Sequence, residues 1–428
     1  MCKITNKKSN ITPYGGLFFT ADIFNKKGVK SFIDNILGSR SYNAKYTYSD
    51  VSMSLYYNNL CCGSFVSDLS VLKERLPESI QKFIPSHDTI EYCAQELKTE
   101  NIEIITENNI KHQININSKI NELLPKLAIK LGLIDPNSTD LTLDFDHVIL
   151  ENNKQDAKKT YKFTKGYSPC FANIGDVSVY YENKNGNSPA KFLQKETLER
   201  CFENLKESQI NINKFRADSA SYQKEVIELL EENVNFFYIR NTNFQALRTA
   251  CIAHQTWNEV EINNEKKEVA SIKFKPFQGE KEYRFVVTRN IINKDKKELF
   301  EEEKYSYSSI ITNDLISNEL DIITFYNQRG GVSENYNKNL INDFNISRLP
   351  FMDLNTNTVY IGFMLISGIL FEWNKKIMVK NKVKGVEIQH RIKRIFFKYI
   401  SVCAKLISHA RENTIVIFSN TIYKHLQI

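Results

Sequence analysis

Hydrophobic and polar positions recur with two different periods along this chain. Before residue 135 apolar residues recur at helical spacing, as in residues 48–59 and 120–133, and Ser86 or Asp88 is placed to cap a helix over IEYCAQELK. From residue 141 the pattern changes to that of strands. We therefore predict a helical N-terminal segment over residues 1–135, followed by a mixed α/β region.

The strand region has a defined order of elements. The run LTLDFDHVIL at residues 141–150 precedes two strands, a helix, a short strand that ends at Asp218, a second helix and the strand FFYIRN. Strand, hairpin, helix, strand, helix, strand is the order of an RNase H-like (retroviral-integrase-like) core. Residues 136–245 are predicted to be the first part of such a mixed-sheet core.

The rest of the chain divides by the same criterion. Period-two alternation in EVASIKFKPF and KEYRFVVTR predicts a β-rich insertion over residues 246–310, after which helical sequence at 311–374 completes the core. The apolar run 359–371 is shorter than the roughly 20 residues that a membrane span needs, so we interpret it as a buried core helix. Residues 375–428 are a basic C-terminal region, either a solvated helix face or a set of phosphate contacts.

Composition adds a charge bias to this picture. Lys and Arg (57) exceed Asp and Glu (50) by 7 among 428 residues, which permits a polyanionic partner without proving one. The eight cysteines form no CxxC pair and the histidines lack zinc-ligand spacing. With no apolar stretch typical of a secretory signal near the N-terminus, we expect reduced thiols, a cytoplasmic location and no membrane partner.

Two acids in the first strand are the first candidates for chemistry. Asp144 and Asp146 are two residues apart and therefore share one face of a strand. Two buried carboxylates on one face repel each other and lose hydration, which a bound cation offsets. A divalent metal site is the first hypothesis, although Asp144 also suits hydrogen bonding to the backbone at a strand end.

Two further acids follow later elements of the predicted core. Asp218 ends a strand and Glu334 lies in the late helical segment, and an RNase H-like arrangement brings both to the same end of the sheet as Asp146. Such a cluster can hold two Mg²⁺ or Mn²⁺ ions about 3.5–4 Å apart for phosphoryl displacement. The structural alternatives are a helix N-cap for Asp218 and an ordinary first-turn glutamate for Glu334.

The motifs LTLDFDHV, FRADSASYQ and FYNQRGGVSEN together resemble bacterial insertion-sequence transposases of the DDE class, in the subgroup with a β-strand insertion between the second Asp and the Glu. The likeness runs from about residue 85 to 351. It implies metal-dependent cleavage at terminal inverted repeats and strand transfer into target DNA, known as cut-and-paste transposition. It also implies double-stranded DNA as partner, a homodimer in the synaptic complex and a nucleoid-associated location in a bacterial cytoplasm.

The resemblance also assigns residues to roles. Asp146, Asp218 and Glu334 are the expected catalytic and metal-binding acids, with Asp144 as the alternative for the first. The family's last signature reads Tyr, two residues, Arg, three residues, Glu, six residues, Lys.

Tyr326 and Arg329 match this signature and, with Lys338, are expected to contact DNA phosphate. Four residues separate Arg329 from Glu334, however, and three separate Glu334 from Lys338. This displaced spacing motivates a second hypothesis, a catalytically inactive or domesticated DNA-binding relative. A third is a metal-dependent nuclease that hydrolyses DNA without joining it. The N-terminal helices, likewise, suit either DNA binding or a cap that only packs on the core.

Overall fold

The structure is a computed structural model that describes residues 10–241, 244–291, 305–383, 385–409 and 412–418. The helices in this part, in chain order, are α1 (Leu17–Lys26), α2 (Val29–Leu37), α3 (Tyr48–Leu60), α4 (Asp68–Glu74), α5 (Glu78–Gln81), α6 (His87–Leu97), α7 (Ser118–Lys130), α8 (Gln194–Glu207), α9 (Lys224–Asn233), α10 (Phe244–Ala253), α11 (Glu319–Asn342), α12 (Leu354–Lys380) and α13 (Ile392–Ile395). A 3-10 helix, Ser219–Ser221, and a π-helical turn, Phe396–Ile400, complete the helical elements there.

The strands of the described residues form three sheets. In chain order they are β1 (Ile11–Thr12), β2 (Ile102–Ile105), β3 (Lys111–Asn115), β4 (Thr142–His147), β5 (Leu150–Glu151), β6 (Lys158–Lys159), β7 (Lys165–Tyr167), β8 (Cys170–Ile174), β9 (Val177–Lys184), β10 (Lys214–Ala217), β11 (Phe236–Asn241), β12 (Asn258–Ile262), β13 (Glu265–Phe274), β14 (Tyr283–Ile291), β15 (Tyr305–Thr312), β16 (Cys403–His409) and β17 (Glu412–Phe418). Two small sheets have the orders β1-β16-β17 and β5-β7-β6.

The large sheet has the strand order β12-β13-β14-β15-β11-β10-β4-β8-β9-β3-β2. At its centre β4, β10 and β11 are parallel, and β8 and β9 follow β4 as an antiparallel hairpin. The predicted mixed α/β class is therefore confirmed. The strands predicted between residues 246 and 310 are present and extend this same sheet beyond β11.

Helices cover both faces of the sheet around β9, which explains why every residue of that strand is buried. On one face, the Tyr181 backbone exchanges hydrogen bonds with the Asn121 side chain of α7, and the Asn183 amide donates to the Thr358 hydroxyl of α12. On the other face, Glu182 accepts hydrogen bonds from Thr197 and Arg200 of α8. The sheet is thus the middle layer of the core.

The long helix α12 is the hydrophobic centre of this packing. It is long and apolar enough to cross a membrane, but 94% of its most apolar 18-residue window is buried inside the protein. It packs against α3, α6, α7 and β9, and a helix that is apolar all round belongs in such a core. The interpretation of residues 359–371 as part of a buried core helix is confirmed.

Capping residues visible in the sequence set the starts of several helices. Thr47 and Asp50 form a reciprocal capping box at α3, Ser86 caps α6, and Asn318 and Asp353 cap α11 and α12. Each of these side chains accepts a hydrogen bond from a backbone N–H group that the first turn leaves without a helical partner. Local sequence therefore determines where these helices begin.

The prediction of helices throughout residues 1–135 is wrong at β1, which pairs with β16, and at β2 and β3. The strands β2 and β3 form a hairpin that pairs with β9 and so joins the large sheet. The isoleucine-rich segments favour strands, and Asn109 adopts a φ of 59° in the turn between them, a conformation that asparagine tolerates better than most residues.

Candidate active site

Two aspartates leave neighbouring strands at the same end of the large sheet. Phe145 of β4 is paired with Ala217 of the parallel strand β10, so the next residues, Asp146 and Asp218, follow side by side. Neighbouring strands lie about 4.8 Å apart. Burial raises the pKa of Asp146, and the charge of Asp218 adds to this rise, as expected for two carboxyl groups that lie close together.

Asp146 is held by three groups. Its Oδ1 accepts a hydrogen bond from the backbone of His147 at 3.0 Å and lies 3.2 Å from Nη2 of Arg329, while its Oδ2 accepts from Nδ2 of Asn337 at 3.1 Å. Burial raises the pKa of Asp146 and the neighbouring Asp218 carboxylate adds to this, whereas Arg329 opposes it. The environment thus disfavours an uncompensated negative charge at this position.

Asp218 both caps a helix and faces the site. Its Oδ1 accepts a hydrogen bond from the backbone N–H of Ala220 at 3.0 Å, at the start of the 3-10 helix. The structural alternative considered for this residue is therefore present. It does not compete with the position beside Asp146, because a single cap bond engages only one carboxylate oxygen.

Asp144 has quite different surroundings on the same strand. It is 1% exposed, and both of its oxygens are bound by Arg216, each at 2.7 Å. Arg216 in turn donates to the backbone carbonyl of Phe325 at 2.6 Å and lies 4.6 Å from the centre of that ring. Both oxygens of Asp144 therefore belong to a buried ion pair, which connects β4 and β10 to α11.

Helix α11 crosses the ends of both strands. The hydroxyl of Tyr326 donates to the carbonyl of Ala217 at 3.1 Å, and Nη2 of Arg329 donates to the carbonyl of Phe145 at 3.3 Å. Tyr326 is buried in a small cluster with residues such as Ile323 and Tyr238, and this burial raises its pKa. The contacts of Tyr326 are therefore those of a core aromatic residue.

Glu334 lies within the α11 backbone, between Arg329 and Asn337, both of which touch Asp146. Its side chain is outside the described residues. In the described part of the chain no group of three or more His, Cys, Asp or Glu side chains is arranged to hold a metal ion. The structure thus brings together two of the three predicted acids and the helix that carries the third.

Sequence reasoning missed Asn337, whereas its neighbour Lys338 is one of the residues predicted to contact DNA phosphate. Asn337 follows Arg329 by eight residues, about two helical turns, so helical periodicity predicts that they share a face. Lys338 is exposed and is rotated by about 100° from Asn337 around the helix axis. The structure does not bring Lys338 to the two aspartates.

A polar groove of about 210 Å³ opens beside Tyr326, between α11 and the outer strands of the sheet. Arg240 and Lys267 supply positive charge, and Thr288, Ser308 and Asn327 supply hydrogen-bonding groups. Arg240 and Tyr326 both line this groove. This groove gives the site an electropositive extension along the sheet.

Residues 87–427 match the sequence profile of a family described as Transposase DDE domain group 1. The chain belongs to this family. The match covers most of the chain and confirms the resemblance drawn from its three motifs, so the protein is a DNA transposase of the DDE class. The narrower placement among bacterial insertion sequences stays a prediction.

Two other comparisons add little to the assignment of this transposase. No curated protein sequence matches the chain. Among solved structures it is similar to a piggyBac transposase determined by cryo-EM in a synaptic complex with hairpin DNA, with 12% identity over 90% of this chain and 79% of that one, and a TM-score of 0.43. A similarity at this level does not establish a common fold.

Proposed function

We propose that this transposase cleaves DNA at the terminal inverted repeats of its element and joins the freed ends to target DNA, using Asp146, Asp218 and Glu334. The observation that carries the proposal is the pairing of Asp146 and Asp218 at the ends of adjacent parallel strands, under a helix that places Arg329 against Asp146. Nearby acids of this kind suit phosphoryl transfer.

The proposal includes an RNase H-like core. In support, the central strand β4 has an antiparallel hairpin, β8-β9, on one side and two parallel strands, β10 and β11, on the other. The sequence order of these strands and the intervening helices α8 and α9 is the order expected for that fold. In this scheme residues 136–245 and 311–374 make up the core and residues 246–310 the insertion.

The proposal includes a pair of Mg²⁺ or Mn²⁺ ions. Carboxylate oxygens are the ligands these ions favour, and Mg²⁺ commonly takes only one or two protein carboxylates, with waters and substrate phosphate oxygens completing its shell. Asp146 and Asp218 would hold the ions with Glu334, and bound ions would activate the attacking hydroxyl and stabilise the leaving oxygen. Asp146 is a better ligand than Asp144, whose two oxygens are already bound by Arg216.

Arg329 would position the phosphodiester. Its guanidinium is held by Asp146 and the Phe145 carbonyl at the edge of the acid pair, and a planar guanidinium can bind two phosphate oxygens together. Tyr326 would support Arg329 by fixing α11 to β10 through Ala217. Lys338 would reach phosphate farther along the duplex, because its side chain is exposed.

The partners in this proposal are double-stranded DNA and a second copy of the chain. The net charge of +7 favours a polyanion, and synapsis of two element ends requires at least two catalytic units. The N-terminal helices of residues 1–135 and the basic residues 375–428 would grip the terminal repeats. The protein would act at the nucleoid in a bacterial cytoplasm.

The proposal is tested with Asp218→Asn. The variant should bind end-containing duplex as the wild type does, while Mg²⁺-dependent nicking of that duplex disappears, because the carboxylate charge is lost but the N-cap oxygen is kept. Asp140→Asn is the matched control, since Asp140 is an exposed acid paired with Lys214 at the opposite end of the same strands. Undiminished nicking by Asp218→Asn would remove Asp218 from the mechanism.

The displaced Arg329-to-Glu334 spacing favours a second candidate, a DNA-binding relative without catalysis. A mobility shift with end-containing DNA but no cleavage at any Mg²⁺ or Mn²⁺ concentration would support it. A strand-transfer assay separates the third candidate, a nuclease, because only a transposase yields joined products.

A further inference from the structure

A short hairpin leaves the core at the end of the sheet that carries Asp146 and Asp218. We call it the aromatic hairpin and define it as residues 158–167. It consists of β6 and β7, and β7 also pairs with β5, which begins at Leu150, four residues after Asp146. The hairpin is therefore connected directly to the strand that carries the first acid.

Two aromatic side chains at the tip of the hairpin are almost fully in solvent. Tyr161 is 72% exposed and Phe163 is 80% exposed. Phe163 also has a φ of 65°, a left-handed conformation that is strained for a bulky side chain and relaxed for glycine. Neither ring is therefore part of the hydrophobic core.

The base of the hairpin, in contrast, is fixed by buried polar contacts. Asp156 accepts hydrogen bonds from the Tyr167 hydroxyl and, at 2.7 Å, from the backbone N–H of Leu354 at the start of α12. Asn185 accepts from the backbone of Lys158 and donates to the carbonyl of Asp156, both at 2.8 Å. The exposed rings are thus presented on a well-anchored support.

The charge around the rings identifies the kind of partner. Four exposed lysines surround the tip, namely Lys158, Lys159, Lys162 and Lys165, and the ammonium of Lys159 lies 5.0 Å from the centre of the Phe163 ring. Protein–protein interfaces are depleted in lysine. Exposed rings among cationic side chains are typical of surfaces that bind single-stranded nucleic acid by stacking on its bases.

We propose that Tyr161 and Phe163 form a stacking site for unpaired DNA bases at the same end of the sheet as the acid pair. This proposal rests on the proposed function, because it concerns the DNA held by Asp146 and Asp218. The chain path from Asp146 through Leu150 and from Tyr167 to Phe163 spans roughly 25 Å at about 3.3 Å per residue. At about 3.4 Å per nucleotide of one strand, the tip reaches bases within about eight nucleotides of the reacting phosphate.

The experiment compares two DNA probes by fluorescence anisotropy, without divalent metal. One is a blunt duplex and the other is the same duplex with a three-nucleotide single-stranded extension that contains 2-aminopurine. Tyr161→Ala and Phe163→Ala should each weaken binding of the extended probe by about 5-fold or more, the range expected for one lost base stack. Binding of the blunt probe should change by less than about 2-fold, and quenching of 2-aminopurine should disappear in the double variant.

A further substitution separates a binding role from a structural one. Phe163→Gly relieves the left-handed backbone strain and should keep or raise the melting temperature, yet it should lose affinity for the extended probe as Phe163→Ala does. Phe163→Trp should keep that affinity. Matched controls are Lys224→Gln, an exposed lysine on α9, and Leu315→Ala, whose side chain is 72% exposed, and both should bind like the wild type.

The outcomes are distinguishable from those that test the catalytic acids. Equal losses with both probes, or unchanged quenching in the double variant, would overturn the stacking site. Binding that depends on Tyr161 and Phe163 in a protein that shows no metal-dependent nicking would leave the stacking site intact and remove only the proposed catalysis.

Discussion

Asp144 and Asp146 project from the same face of β4, and each forms an ion pair with an arginine. The two pairs differ in how many carboxylate oxygens the arginine contacts. Arg216 binds both oxygens of Asp144 and is itself held by Phe325. Nη2 of Arg329 lies 3.2 Å from one oxygen of Asp146, and a second carboxylate, that of Asp218, lies beside Asp146. In the part of the chain that the structure describes, one arginine therefore binds both oxygens of Asp144, whereas Asp146 lies beside a second acid.

This difference separates the structural role of Asp144 from the role proposed for Asp146. In a bidentate pair the two charges neutralise each other, so the Asp144–Arg216 pair has a structural role: it holds β4, β10 and α11 together. Asp146 and Asp218 are neighbouring carboxylates, and such a pair attracts cations. Identical residue types therefore take different roles because of what faces them across the sheet.

The largest expected effect is on catalysis at Asp146. Asp146→Asn should lower the rate of metal-dependent nicking by about 10³-fold or more, because it removes a charged ligand from the reacting site. Binding of end-containing DNA should persist. The measurement is single-turnover nicking of a labelled duplex, and a rate within 10-fold of the wild type would assign the first acid elsewhere.

The second largest expected effect is on stability, in the variant Asp144→Asn. It leaves Arg216 buried without a carboxylate, which should lower the free energy of unfolding by about 3–5 kcal/mol, measured by urea denaturation. The control is Asp140→Asn, since the exposed pair with Lys214 contributes about 1 kcal/mol or less. If Asp144→Asn lowered the free energy of unfolding no more than this control does, the structural role of the Asp144–Arg216 pair would be contradicted.

Glu372 and Lys375 of α12 provide a third buried pair, with a lysine in place of the arginine fork, at 2.8 Å. Burial raises the pKa of Glu372 to about 7, with Asp176 adding and Lys375 opposing. The folded state therefore holds a proton that the unfolded state releases, and stability should fall as the pH rises from about 4.5 to about 7.

The loss at Glu372 should be at most about 3 kcal/mol over this range and constant above it. The measurement is the difference in unfolding free energy between the wild type and Glu372→Gln at successive pH values, because the amide does not titrate. If this difference in unfolding free energy did not change between pH 4.5 and 7, Lys375 would stabilise the charged carboxylate of Glu372 as fully as Arg216 stabilises that of Asp144.

The smallest expected effect is stabilisation by divalent ions. Mn²⁺ at about ten times its dissociation constant should stabilise the folded protein by about 1.4 kcal/mol, which in a chain of this size raises the melting temperature by roughly 1–2 °C. The shift should vanish in Asp146→Asn and Asp218→Asn and persist in Asp140→Asn. Its persistence in the first two variants would mean that the ion binds elsewhere.

The sequence alone determined the secondary structure around the site and the class of chemistry. Alternation identified β4 and β10, and cap residues such as Asn318 set the starts of helices, because these signals act between residues close in the chain. The motifs around Asp146 and Asp218 also predicted the transposase family that the profile match shows. The β2-β3 hairpin was missed because its strands are short and are stabilised by pairing with β9.

Only the tertiary structure decided which acid has both oxygens bound by an arginine and which acid lies beside a second carboxylate. Nothing near Asp144 in sequence predicts Arg216 as its partner, since the two are brought together by parallel pairing 72 residues apart. Asn337 and the exposed tip of the aromatic hairpin were likewise hidden, because burial and long-range contacts depend on how strands and helices pack. A charged side chain becomes structural or reactive according to the groups that surround it in space.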